Sequence, residues 1–132
     1  MTHFFRLETA QLLFEKLTRD LARVERWPND VDMAFDFFLT ADAILDWLYS
    51  GPSAQHQRED LHNDPLLRAV RELASGANPL ELKRGERAQR VLAVELSGRA
   101  AQKYGSRLSV VDMARHVHAY WTTQLPLRCG RG

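Results

Sequence analysis

The segment VDMAFDFFLTADAILDWLY, Val31 to Tyr49, is apolar over more of a helical circumference than a surface helix can be. Val31, Phe35, Phe38, Ala41, Leu45 and Leu48 share one face, and Phe37, Ile44 and Trp47 widen it. The remaining stripe reads Asp32, Asp36, Thr40, Ala43, Asp46, Ser50. Such a helix belongs at the centre of a bundle, and Ser50-Gly51-Pro52 stops it. The other elements must supply partners for it. With 132 residues the chain suits one domain around one core.

A first helix is predicted from Leu7 to Arg26, with Leu7, Phe14, Leu17, Leu21 and Val24 inward, and Pro28 ends it. Ser53 to Asn63 is polar and reads as a surface loop. Asp64-Pro65 starts a third helix, an Asp cap followed by Pro at the first position. Its inner side carries Leu66, Leu67, Val70, Leu73, Ala74 and Ala77. LKRGERAQ then reads as an exposed charged stretch. VLAVEL (Val91–Leu96) and RLSVV (Arg107–Val111) have strand character and predict a β-hairpin with a long connection. A last helix is expected from Val111 to Gln124, with Ala114, Val117 and Trp121 inward, stopped by Pro126. The expected fold is therefore mainly α: a bundle of about four helices with a β-hairpin before the last helix. It occupies 1–126 as one domain, and residues 127–132 form a disordered tail.

Eighteen Lys and Arg against seventeen Asp and Glu leave a formal charge of +1, so no global basic field recruits nucleic acid. One cysteine, Cys129, permits no internal disulfide and fits a reducing cytoplasm. MTHFFRLETAQ lacks the pattern of a signal peptide. Asp36, Asp42 and Asp46 interrupt the longest apolar stretch, so no membrane span is expected.

Arg71 falls at the margin of the third helix's apolar face, between Leu67 and Ala74. A guanidinium there needs a carboxylate, a carbonyl or a phosphate. Two roles fit: a structural ion pair with an aspartate of helix two, or a grip on phosphate from within a cleft. Asp32, Asp36, Asp42 and Asp46 form an acidic side that suits acid–base or Mg²⁺ chemistry, or simply meets the arginines of the first helix or water. His116 and His118 are two apart and point about 200° from each other on a helix, so they cannot share one metal ion. His118, between Ala114 and Trp121, reads as a packing histidine. No metal site or cofactor is expected. Arg19, Arg23 and Arg26 with Trp27 make the best basic–aromatic patch for RNA, or else a solvated helix face. Trp47 and Trp121 read as core.

FDFFLTADAILDWLY followed by PLLRAVRELASGANPLEL resembles a small bacterial family with segments of the type FDFFVTAYHLLDWLY and PLLRLCRDLANGAKHFEL. That family is similar to HEPN domains, helical bundles that are often dimeric and include many ribonucleases of toxin and phage-defence systems. Their motif is an Arg, four to six residues, and a His. The resemblance implies a HEPN-like bundle with Arg71 as the motif arginine. Ser75 stands where the family has Asn, Asn78 where it has Lys, and Pro79 where it has His. Proline transfers no proton, and nowhere in the chain does a His follow an Arg at the motif spacing. The expectation is a non-catalytic module that self-associates or binds a partner protein. The alternatives are a metal-independent ribonuclease with an atypical site drawn from Arg71, Asn78 and His118, or an RNA-binding protein using Arg19 to Arg26.

Overall fold

The computed structural model describes residues 2–49, 55–78, 80–84 and 90–129. Within them lie α1 (Thr2–Arg26), α2 (Val31–Leu48), α3 (Gln55–His62), α4 (Pro65–Ser75), β1 (Glu81–Arg84), β2 (Arg90–Glu95), α5 (Gly98–Tyr104), β3 (Arg107–Ser109) and α6 (Val110–Cys129). The bundle is mainly helical, as expected, with antiparallel strands before the last helix.

α2 sits where its composition requires, packed on α1, α4 and α6. Asp30 caps it by accepting from the Met33 amide at 3.1 Å. Its buried side is Ala34, Phe37, Phe38, Thr40, Ala41, Ile44 and Leu45. The inward face is thus rotated from the expected one. Val31, Phe35 and Trp47, assigned to the interior from their spacing, are 43%, 39% and 40% exposed. The neighbouring helices cover only one side of an element that is apolar over more than that.

A buried polar junction ties α1 to α2. Asp20 is 1% exposed. Its Oδ2 accepts from Lys16 Nζ at 2.7 Å and from Thr40 Oγ1 at 3.1 Å, and its Oδ1 accepts from Arg23 Nη1 at 3.0 Å. The same ammonium donates to Asp36 Oδ2 at 3.0 Å and Thr40 Oγ1 at 2.9 Å, which uses all three of its donors. Burial opposes the Lys16 charge, but the bonds from Asp20 and Asp36 outweigh it and raise the ammonium above its ordinary range.

α4 begins as its sequence requires, with Asp64 Oδ1 accepting from the Leu66 and Leu67 amides at 2.9 and 3.3 Å. It ends at Gly76, whose φ of +83° is the left-handed conformation that glycine adopts without strain. Ala77, expected on the inner side, lies past this end and is exposed.

The strands form a sheet in the order β1-β2-β3, both pairings antiparallel. The expected hairpin is β2 with β3. The LKRGERAQ stretch, read as merely exposed, instead supplies β1 along the other edge of β2, while residues 85–89 lie outside the described residues. Leu92, just past the β2–β3 pairing, donates its amide to Asn29 Oδ1 at 2.8 Å, which fastens the α1–α2 turn to the sheet.

The described residues hold six helices rather than about four. α3 replaces the expected loop. Its sequence, QHQREDLH, has no apolar period, and side-chain pairs Gln55–Glu59 and His56–Asp60 support it at i,i+4 spacing. α5 lies within the long hairpin connection and buries only Ala100, too little for a visible pattern. α1 begins at Thr2, earlier than expected. α6 runs through Pro126 to Cys129 rather than stopping at the proline, which removes one backbone donor in its last turns. Residues 130–132 of the expected tail lie outside the described residues.

Replacing Asp20 with alanine leaves Lys16, Arg23 and Thr40 without their common acceptor at a buried junction. The expected loss is about 2–4 kcal/mol, read by urea unfolding. A loss below about 0.5 kcal/mol would show that the junction is incidental to the fold.

Candidate functional site

Arg71 lies on α4 against α2. Its Nη2 donates to Asp46 Oδ1 at 2.9 Å, and its Nε is 3.2 Å from Asp42 Oδ1. The Nε contact is an ion pair without hydrogen-bond alignment. The spacing of Asp42 and Asp46, one helical turn apart, brings both carboxylates to the edge of α2 that meets α4. The ion pair with an aspartate of helix two is therefore present, with two aspartates rather than one.

Exposure separates the two acids. The Asp42 side chain is 14% exposed and that of Asp46 is 47% exposed. Burial pushes Asp42 up to about 6; Arg71 pulls it down, and the neighbouring Asp46 adds to the rise. The pair of acids thus holds one carboxylate poised near neutrality beside a guanidinium.

The other candidates lie apart from this cluster. Asn78 closes α4, donating its amide to the Glu72 carbonyl at 3.1 Å, and its Nδ2 donates to the Glu95 carbonyl at 2.8 Å, which stitches α4 to β2. It borders an open groove of about 680 Å³ between α4 and the β2–α5 connection, together with Arg68, Glu72, Glu95 and Arg99. Arg71 and His118 do not line that groove. Pro79 lies outside the described residues.

His118 belongs to the α1–α6 interface. It stacks on Phe14 with ring centroids 5.1 Å apart, and its Nε2 is 2.9 Å from Thr18 Oγ1. The Thr18 hydroxyl also donates to the Phe14 carbonyl at 3.1 Å, and Thr122 Oγ1 lies 3.5 Å from His118 Nδ1. Burial lowers its affinity for a second proton, and Glu25 partly opposes this. It is the packing histidine the sequence implied. His116 is exposed, with the Tyr104 ring 4.9 Å away.

The basic patch is partly committed within the chain. Arg23 pairs with Asp20, and the Arg26 guanidinium lies 4.8 Å over the Trp27 ring. Arg19 and Trp27 are exposed. Among the described residues no group of three or more His, Cys, Asp or Glu side chains is placed to hold a metal ion, and no helix is long and apolar enough to cross a membrane.

One feature escaped the sequence reading: the outward face of α2. Val31, Phe35 and Leu39 follow each other at four-residue spacing and are 43%, 39% and 42% exposed. Ala43 and Trp47 continue the row, and Asp32, Asp36, Asp42 and Asp46 fall between its members. The strict four-residue spacing was the available signal, hidden because it sits within a run that is apolar nearly all round. Comparison with family models, with curated proteins and with solved structures gives no match for this chain.

The Asp42 environment sets a pH dependence. Its folded value of about 6 lies above the ordinary 3.8, so the folded chain binds this proton more tightly than the unfolded chain does. The stability it contributes is fully present below pH 3.8 and is lost as pH rises through about 6. Asp42→Asn, which mimics the protonated form, should therefore gain on the wild type by on the order of 2 kcal/mol between pH 4 and pH 7. Parallel denaturation curves across that range check this, and a constant difference would refute it.

Proposed function

We propose that this protein is a non-catalytic interaction module with a HEPN-like bundle, which associates with itself or with a partner protein through the outward face of α2. The observation that carries this reading is the row Val31, Phe35, Leu39, large apolar side chains held at the surface of the most apolar helix in the chain. Contiguous exposed apolar residues of this kind mark contact surfaces. A setting in bacterial defence or toxin–antitoxin systems follows from the resemblance of Phe35–Tyr49 and Pro65–Leu82 to the HEPN-like family.

Three features weigh against a ribonuclease. The Arg71 guanidinium is engaged by Asp42 and Asp46, so a substrate phosphate would have to displace two carboxylates. Pro79 stands in the sequence where the motif histidine would be, and His118 is packed against Phe14 on other helices. An RNA-binding role through the first helix is weakened by the pairing of Arg23 with Asp20.

Purified wild type incubated with RNA, with and without Mg²⁺, should give no cleavage. Arg71→Ala should change only stability, by about 1–2 kcal/mol, because the pair is partly solvent-screened but leaves a mostly buried Asp42 without its cation. Cleavage by the wild type that disappears in a folded Arg71→Ala variant would overturn the reading.

The contact surface has its own signature. Phe35→Ser and Leu39→Ser should each alter unfolding free energy by no more than about 0.5–1 kcal/mol, since both side chains are already partly in water. A loss of about 3 kcal/mol, as for a core residue, would place this face in the fold rather than in recognition.

A further inference from the structure

We propose that the partner seated on the outward face of α2 is a basic amphipathic helix of another protein, not a second copy of this chain. This rests on the interaction-module reading and names the occupant of the same face. The apolar row is interleaved with four aspartates, Asp32, Asp36, Asp42 and Asp46. Among the described residues two cations, Lys16 and Arg71, pair with them, and both are divided. Lys16 serves the buried Asp20 as well as Asp36, and Arg71 serves Asp42 and Asp46 together. The face therefore keeps an excess of negative charge beside exposed Phe and Leu.

A second copy fits this face poorly. An antiparallel two-fold contact of α2 on α2 centred on Leu39 places Phe35 against Ala43 of the other copy, a suitable large-to-small match. It also places Asp36 against the other Asp42 and Asp32 against the other Asp46. Like charges opposed across a contact that excludes water are destabilising. A helix with an apolar row at the same four-residue spacing, flanked by Lys or Arg, fills the ridge and meets the aspartates with opposite charge.

The test uses the full chain and two synthetic amphipathic helical peptides with one shared Leu/Phe row, flanked by Lys in one and by Glu in the other. Titration is followed by calorimetry, and the protein alone is examined by sedimentation. The expected result is a monomer that binds the Lys-flanked peptide at least about tenfold more tightly than the Glu-flanked one. Leu39→Ser and Phe35→Ser, each verified as folded by circular dichroism, should weaken that binding about tenfold, and Asp32→Asn about threefold. A dimer that Leu39→Ser dissociates would overturn the basic-partner proposal and leave the interaction module standing. Equal affinity for the two peptides, or binding unchanged by both serine variants, would overturn the proposal as well. Neither association nor peptide binding would remove the proposal and the reading beneath it together.

Discussion

The architecture hangs on a carboxylate that has almost no contact with water. Asp20 sits between α1 and α2, and three donors converge on it from Lys16, Arg23 and Thr40. A buried ion without those partners would oppose folding, so the junction is satisfied only when the two helices meet in one register. Apolar packing alone would not impose this, because α2 offers apolar side chains over most of its circumference. The polar junction selects which side of α2 turns inward and therefore which side is left outward.

The consequence appears on the opposite side of the same helix. Once Phe37, Phe38, Ile44 and Leu45 are buried, the row through Phe35 and Leu39 has no element of the described chain to cover it fully. α4 reaches only the margin, where Arg71 closes over Asp42 and Asp46. That arginine is the point at which a catalytic and a structural interpretation part. Two carboxylates within reach make it a clasp between helices. At the same site Asp42 is half-protonated only near pH 6, because burial opposes its charge more strongly than Arg71 favours it.

Much of this was legible in the sequence, and the failures have definite causes. The start of α4 at Asp64-Pro65 and its end at Gly76 are local chemistry, which any surroundings would respect. The β2–β3 pairing follows from two β-prone runs. α3 and α5 were missed because one has no apolar period and the other buries a single alanine. β1 was missed because ELKR has no strand pattern and is held by β2 as an edge. Pro126 was overrated as a stop: it removes a backbone donor and crowds the carbonyl one turn before it, yet α6 continues past it to Cys129.

By itself the sequence determined a mainly helical single core, the placement of α2 among several helices, and the need of Arg71 for an anionic partner, whether an aspartate of α2 or a phosphate. These follow from periodicity, capping and the cost of an unpaired buried charge, all of which act over a few residues. Only the tertiary structure decided which half of α2 is covered, that Arg71 is shared by two aspartates, and that Phe35, Leu39 and Trp47 face outward rather than into the core. A helix apolar over more than half its surface can be buried in several rotations. The choice among them is made by contacts between residues far apart in the chain, such as Asp20 with Thr40, which no local pattern encodes.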